Sequence, residues 1–120
     1  MALKKLIFSL SIFFLVSCTT QTSYQPYQFD NGDDYVRDGM SRVVDQQGRI
    51  GYVDAKGVVR IKPRFVCAFP FENGKAKVTD EGKIQSVAGS NNEYHYCESH
   101  HWYYIDKSGR KLQSEEEIRE

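Results

Sequence analysis

Residues 49–65 constrain the fold more than any other stretch, because they encode a β-hairpin and its exit. Apolar residues at positions 50, 52, 59 and 61 recur at the two-residue period of a half-buried strand. The intervening Asp54-Ala55-Lys56-Gly57 has turn chemistry, since an Asp side chain accepts bonds from nearby backbone amides and Gly57 can adopt a positive φ. The stretch therefore predicts two antiparallel strands joined by a tight connection.

The same turn chemistry occurs one strand earlier, at Asp45-Gln46-Gln47-Gly48. Two successive connections of equal length predict a three-stranded antiparallel meander, with strands over 40–45, 49–54 and 58–61. Pro63 has no amide for a ladder hydrogen bond, so we expect it to end the third strand.

Both halves of this pattern return later in the chain. Residues 38–43 align with 73–78 at an offset of 35, and residues 51–57 align with 103–109 at an offset of 52. The difference of 17 residues measures an insertion in the second copy, between about Glu81 and His101. Internal repeats of this length indicate stacked supersecondary units.

These segments resemble the WG repeat family, whose units run approximately Phe-x-x-Gly-x-Ala-x-Val, then Trp-Gly-Tyr-Ile-Asp-x-x-Gly, then Ile-x-Pro-x-Phe. The matching segments are Gly51-Tyr52-Val53-Asp54-x-x-Gly57, Ile61-Lys62-Pro63-Arg64-Phe65, Phe71-x-x-Gly74-x-Ala76-x-Val78 and Trp102-Tyr103-Tyr104-Ile105-Asp106-x-x-Gly109. Ile50 replaces the family's Trp in the first copy, and Tyr103 replaces its Gly in the second. The resemblance implies an all-β fold, namely a small antiparallel meander of two hairpin repeats with a loop insertion in the second. It also implies a binding role rather than a catalytic one.

The N-terminus has the organisation of a secretory leader. Lys4 and Lys5 precede an apolar run over residues 6–16, interrupted by two serines. This run is too short for a spanning helix, which needs about 20 apolar residues. We therefore predict a leader rather than a membrane span.

Leu15-Val16-Ser17-Cys18 resembles the lipobox of bacterial lipoproteins, in which the Cys becomes the acylated N-terminus of the mature protein. The resemblance implies a signal peptide over 1–17, lipid attachment at Cys18 and anchoring in the bacterial cell envelope. Thr19 after the Cys, rather than Asp, favours the outer membrane, facing the periplasm. The alternative is ordinary secretion with Cys18 as an unused thiol.

Composition divides the rest of the chain. Residues 18–34 are polar and lack sustained periodicity, which predicts a flexible tether before a β domain over 35–113 and a charged tail over 114–120. Sixteen basic residues balance sixteen acidic ones, and loss of the two leader lysines leaves a net charge of about −2. No basic face is present, so nucleic acid is not an expected partner.

Cys67 and Cys97 remain after acylation of Cys18. In an oxidising compartment we expect them to form a disulfide, which would pin the insertion to the repeat body. The alternative to the disulfide is two separate buried thiols. A further hypothesis is a metal site that uses Cys97 and His100, since sulfur and imidazole suit zinc or copper. A structural zinc site usually draws on two separated ligand pairs, so we expect no metal cofactor here.

Aromatic and histidine side chains concentrate in the insertion and the strand after it. The candidate binding surface consists of Tyr94, Tyr96, His100, His101, Trp102 and Tyr103. Strand alternation cannot bury Trp102, Tyr103 and Tyr104 together, and an exposed Tyr or Trp is a common interface anchor.

The main functional hypothesis is therefore a non-catalytic, envelope-anchored binding module for another protein or a cell-wall component. A periplasmic metal-binding lipoprotein is the alternative. A hydrolase is a third hypothesis, for which Cys97 and its neighbouring histidines lack an orienting residue and an oxyanion site.

Overall fold

A computed structural model describes residues 24–30 and 32–119, so the leader and Cys18 lie outside the described residues. Within these ranges the chain forms eleven short strands and one C-terminal helical turn. In chain order these elements are β1 (Gln25–Pro26), β2 (Gln28–Phe29), β3 (Gly32–Asp33), β4 (Met40–Val44), β5 (Ile50–Asp54), β6 (Val59–Phe65), β7 (Cys67–Ala68), β8 (Lys75–Thr79), β9 (Lys83–Ser86), β10 (His95–Glu98), β11 (Tyr103–Asp106) and α1 (Glu115–Arg119).

Small antiparallel sheets make up the fold, which confirms the all-β prediction. The larger ones have the strand orders β1-β4-β5-β6 and β11-β8-β7, and the pairs β9–β10 and β2–β3 form separate two-stranded sheets. The predicted meander is β4-β5-β6. No helix in the described ranges is long and apolar enough to cross a membrane.

One turn geometry occurs three times, in the connections that begin at Asp45, Asp54 and Asp106. In each, the Asp Oδ1 accepts hydrogen bonds from the amides two and four residues later, at 2.9 to 3.0 Å. The glycine three residues after the Asp has a φ of 84° to 90° and donates its amide to the Asp carbonyl. This is the three-residue hairpin loop that needs a left-handed residue before the second strand.

The second repeated feature is the turn that precedes each copy. Asp38 and Asn73, which align at the offset of 35, have φ values of 53° and 54°, and the glycine after each is also left-handed. Each turn is closed by an antiparallel bridge between its flanking residues. The two turns also touch, because the Asp38 carboxylate accepts the Gly74 amide at 2.7 Å and lies 3.4 Å from Lys107 Nζ.

A single hydrophobic core is shared by the two larger sheets. Its buried members are Met40, Ile50, Tyr52, Ile61, Phe65, Ala68, Phe71, Ala76, Val78 and Ile105. Tyr52 lies at its centre, edge-on to Phe71 with ring centroids 4.7 Å apart, and donates its hydroxyl to the Phe69 carbonyl at 2.6 Å. The two repeat units therefore fold around one core.

The third strand of the meander does not end at Pro63, and that prediction is wrong. β6 continues to Phe65, because the pairing with β5 shifts register between Ile50 and Tyr52. Tyr52 pairs with Ile61 and Ile50 pairs with Phe65, so three residues of β6 lie opposite Gly51 alone. Pro63 lies in this bulge, one of the positions where a strand tolerates a missing amide.

The N-terminal boundary of the folded region also differs from the prediction. Residues 24–34, expected to belong to the tether, contain β1, which pairs with β4, and Tyr27, whose side chain packs against the core. Asp34 accepts three hydrogen bonds from Arg42, which hold this segment in place. Polar composition concealed the segment, since its fixed position depends on an ion pair and one ring rather than on a periodic apolar face.

The insertion is a β-hairpin rather than the expected loop. His95 pairs with Ser86 and Glu98 pairs with Lys83, so β9 and β10 are in register over four residues. No residue between 80 and 102 is buried, so the hairpin adds no side chain to the core.

Candidate functional site

A disulfide between Cys67 and Cys97 joins β7 to β10, with Cα atoms 6.4 Å apart, and confirms the predicted pairing. Cys67 is 3% exposed, whereas Cys97 is half-buried. The bond therefore links the core of the two repeats to a hairpin that lies outside that core.

An open groove of about 370 Å³ runs along this disulfide, and we call it the aromatic groove. The N-terminal segment supplies Tyr27 and Phe29, the residues after β7 supply Phe69 and Pro70, and β10 supplies Tyr96. Three of its rings remain about half exposed: Phe29 (41%), Phe69 (49%) and Tyr96 (47%). Exposed apolar side chains that converge on one concavity are typical of a binding surface.

Trp102 and Lys77 extend the groove at Phe69. The Trp102 ring meets Phe69 edge-on, with centroids 5.4 Å apart, and Lys77 Nζ lies 5.1 Å from the Trp102 centroid. The Phe69 amide donates to the Lys77 carbonyl at 2.9 Å, which fixes this group on β8. One cation thus lies over two aromatic rings at the groove's end.

Two polar residues of the groove already make side-chain contacts within the chain. Arg42 bonds Asp34 and the Ala68 carbonyl and stacks over Tyr27, with its guanidinium carbon 4.8 Å from the ring centroid. His95 meets Asp30 twice, through Nδ1 at 2.7 Å and through its amide at 2.8 Å. These bonds from His95 lower the pKa of the Asp30 carboxyl.

Arg37 and Lys77 are cations without a carboxylate. Neither has a carboxylate oxygen within 4 Å among residues 24–30 and 32–119. Arg37 donates to the Tyr35 hydroxyl at 3.0 Å, and this bond raises the pKa of Arg37. The charges of Asp34 and Glu72 also raise the pKa of Arg37, so Arg37 lacks a direct ion pair rather than all nearby negative charge.

The structure separates the six residues predicted to form one binding surface. Tyr96 lines the aromatic groove and Trp102 adjoins it, whereas Tyr94 is 56% exposed at the far end of the hairpin. His100 and His101 are exposed at the hairpin's base, where the His101 ring contacts the Glu81 carboxylate.

Tyr103 points away from these residues, because successive strand residues face opposite sides. Its ring packs edge-on to Phe65, with centroids 6.4 Å apart, and its hydroxyl donates to Asp80 at 2.8 Å. Partial burial, followed by the bond to Asp80, raises the pKa of Tyr103 to about 12. Tyr103 is therefore a packing residue.

Sequence reasoning missed Tyr27, Phe29, Phe69 and Arg37 as site residues. Two of them lie in the segment assigned to the tether, and the other two lie in the predicted β domain outside the candidate binding surface. The available signal was the pair of aromatic residues at alternate positions 27 and 29 in an otherwise polar segment.

The disulfide also changes the metal hypothesis. The Cys97 sulfur is bonded to Cys67, so no thiolate stands beside His100. In the part of the chain that the structure describes, no group of three His, Cys, Asp or Glu side chains is arranged to hold a metal ion.

The hairpin's base contains Ser99 and His101, which are residue types that also occur in hydrolases. The Ser99 hydroxyl bonds the buried Thr79 hydroxyl at 2.7 Å and accepts the His101 amide at 3.1 Å. The His101 ring is directed to Glu81. These contacts brace the hairpin's base rather than pair a nucleophile with a base.

Comparison with known proteins identifies a WG containing repeat at residues 50–83, which spans β5 to β8. The matched segment begins at Ile50-Gly51, which occupies the position of the Trp-Gly pair after which the repeat is named. No curated protein matches the chain. No solved structure matches it either.

Proposed function

We propose that this chain is a non-catalytic, lipid-anchored binding module of the bacterial cell envelope. The aromatic groove is its ligand site, and the occupant is an extended segment of a partner protein with acidic and apolar side chains. The observation that carries the proposal is the convergence of three half-exposed rings on one groove, beside the Trp102 and Lys77 pair.

Charge complementarity argues for an acidic partner. Arg37 lines the groove, Lys77 adjoins it, and neither has a carboxylate partner among the described residues. A glutamate or aspartate of a bound segment supplies each cation with a direct ion pair, and interfaces pair potentials of opposite sign. Apolar side chains between these acids cover the exposed halves of Phe29, Phe69 and Tyr96.

A peptide fits the groove better than a glycan. Sugars need many hydrogen-bonding groups for their hydroxyls, but each guanidinium nitrogen of Arg42 and the Nδ1 of His95 already have a partner within the chain. A short peptide instead needs apolar pockets and a few charges, which this groove offers. Cell-wall glycan is therefore the competing occupant to exclude.

The proposed anchor at Cys18 would hold this groove near a membrane surface. Tyr27 is nine residues after Cys18, a span of at most roughly 30 Å for an extended chain. An acyl group on Cys18 therefore keeps the groove within reach of other envelope proteins.

Labelled peptides test the proposal directly. An extended peptide with alternating acidic and apolar residues is titrated into the full-length chain in detergent and followed by fluorescence anisotropy. The lone Trp102 reports the same titration by its own emission. We expect the acidic peptide to bind at least about tenfold more tightly than the same peptide with lysines, because a hydrogen bond to a charged group contributes roughly 1.5 to 3 kcal/mol.

Phe69→Ala is expected to weaken binding of the acidic peptide by at least about tenfold, because truncation of a central interface aromatic typically costs more than about 1 kcal/mol of binding free energy. Tyr94→Ala removes an equally exposed ring outside the groove and is the matched control. Equal affinity for both peptides, or an equal effect of both variants, would refute the assignment. Tight binding of soluble glycan fragments with no peptide binding would replace the peptide by a glycan.

A further inference from the structure

We infer that the Cys67–Cys97 disulfide is a modification site, reducible by an envelope dithiol, and that its reduction opens the aromatic groove. The effect on ligand binding rests on the function proposed above. The effect on the hairpin does not, and it can be measured without any ligand.

The inference begins with how little holds the β9–β10 hairpin in place. None of its side chains is buried, and its strands pair only with each other. A two-stranded hairpin is marginally stable on its own in water. Its position therefore depends on the ties between it and the rest of the chain.

Three such ties are present in the described residues. The disulfide is the covalent one, and it joins the middle of β10 to β7. His95 makes a partly exposed contact with the N-terminal segment, through its bonds to Asp30 and its edge-on ring contact with Phe29. The Thr79–Ser99 bond braces the hairpin's base. Loss of the covalent tie leaves contacts of the kind that open readily.

Exposure distinguishes the two sulfurs. Both cysteines line the open groove, but Cys67 is only 3% exposed whereas Cys97 is half-buried. Gly82 lies next to the Cys97 sulfur without a side chain to cover it, since a Cβ there would be 3.2 Å from Sγ. A thiolate from outside therefore attacks Cys97 in preference to Cys67.

The exchange balances with one dithiol as the reductant. Its first thiolate bonds to the Cys97 sulfur and breaks the disulfide, and Cys67 leaves as a thiolate that takes a proton. The second thiol of the reductant then attacks the reductant's first sulfur, which is bonded to Cys97, and releases Cys97 as a thiol. Two electrons pass from the dithiol, which becomes a disulfide, to the two cysteines.

The structure separates the consequences of this reduction. Nearly all core residues belong to the two repeat units and none to the hairpin, so the two-unit body keeps its packing. The groove loses one wall, because Tyr96 and His95 move with the hairpin. Reduction thus removes part of a binding surface without unfolding the domain.

Hydrogen exchange of the full-length chain in detergent, before and after treatment with dithiothreitol, tests the structural step. We expect the amides of β9 and β10 to exchange at least about tenfold faster after reduction, and those of β5 and β8 to change by less than about twofold. The Cys67→Ser/Cys97→Ser double variant should show the same pattern without a reductant. Thiol-specific alkylation and peptide mapping verify that both cysteines have been reduced.

Three results would overturn the inference: a disulfide that resists dithiothreitol until the chain unfolds globally, hairpin amides that stay protected after reduction, or loss of protection throughout β5 and β8. The acidic peptide then tests gating, with at least about tenfold weaker binding expected for the reduced chain. If the hairpin opens but the affinity for the acidic peptide is unchanged, reduction does not control ligand binding. A peptide that binds neither form, with the hairpin opening as expected, would count against the proposed function alone.

Discussion

Gly51 and Pro63 lie against each other across β5 and β6, and this contact joins the two most distinctive positions of the repeat. A Cβ on Gly51 would stand 2.5 Å from the Pro63 nitrogen and 2.4 Å from the Ile61 carbonyl oxygen. The bulge that accommodates a proline in β6 thus brings its backbone over a residue that must lack a side chain. The backbone of this bulge therefore requires a glycine at position 51.

The same relationship explains why the second copy departs from the repeat. Tyr103 aligns with Gly51. The segment that lies beside β11, however, is short. It contacts β11 through a hydrogen bond from the Leu112 amide to the Tyr104 carbonyl and through a bridge between Lys111 and Ile105. No proline bulge is aligned over this position, because the second copy has no Ile-x-Pro-x-Phe segment. A side chain is therefore tolerated, and it packs on Phe65.

Gly51→Ala should destabilise the domain by about 1 to 3 kcal/mol or more, as forced overpacking does. The φ of Gly51 is not in the left-handed region, so the cost comes from the steric clash alone. Urea unfolding measures the change in the free energy of unfolding.

Gly48→Asn is the control for this experiment. Gly48 has a φ of 84° but nothing within 4 Å of its Cβ position, and Asn tolerates left-handed backbone. We expect a smaller loss there than at Gly51. A loss at Gly51 no larger than at Gly48 would contradict the packing argument.

Local chemistry made much of the body predictable from the sequence. The turns at Asp45, Asp54 and Asp106 depend on one carboxylate and one left-handed glycine, both visible in the sequence, and their positions fixed the meander. The disulfide followed from the cysteine count and the oxidising compartment. The Pro63 prediction failed because a bulge depends on the partner strand, which a linear pattern does not include.

The candidate groove was less predictable, since it forms between segments far apart in the chain. Phe29, Phe69 and Tyr96 come together through a disulfide and an Asp34–Arg42 ion pair. The sequence alone does not predict which aromatic rings these two contacts bring to one surface. Tyr103 was included in the predicted binding surface because strand alternation separates it from Trp102 but does not determine which of the two side chains faces the core.

Removal of the disulfide by the Cys67→Ser/Cys97→Ser double variant should lower stability by less than the chain-entropy value. That value is about 3 to 4 kcal/mol for a sequence separation of 30. That value counts only the conformational entropy that the unfolded chain gains when the bond is removed. The released hairpin also gains conformational entropy in the folded state, which offsets part of the loss. Thermal unfolding of the variant beside the oxidised parent measures the difference, and a full 3 to 4 kcal/mol loss would indicate a hairpin that stays fixed.

Cys18→Ala should abolish acylation and leave uncleaved precursor, because the peptidase of the lipoprotein pathway acts after lipid attachment. Metabolic labelling with palmitate, followed by fractionation of the envelope, measures both effects. Ser17→Ala keeps a small residue at the tolerant lipobox position and is the control, for which we expect unchanged labelling. Equal label on Cys18→Ala and the parent would remove the basis for the anchor.

The carboxylate of Asp54 should stabilise its turn in two separable ways. It accepts amides from Lys56 and Val58, both at 2.9 Å, and forms an ion pair with Arg60 at 2.9 Å. Asp54→Asn keeps an oxygen for the amides and loses the ion pair, whereas Asp54→Ala loses both. We expect the Ala variant to be less stable than the Asn variant at neutral pH, as measured by urea unfolding.

The pH dependence of the same residue tests the electrostatic part. The bond from the Val58 amide, with that from Lys56 and the Arg60 pair, lowers the pKa of Asp54 below its ordinary value of 3.8. A carboxyl whose folded-state pKa is depressed stabilises the fold above the unfolded pKa, and this contribution disappears as the pH falls through the folded pKa. The stability difference between the parent and Asp54→Asn should therefore be constant from neutral pH down to about 5 and shrink below about 4. A difference that stays the same at low pH would show that the charge of Asp54 contributes nothing to the turn.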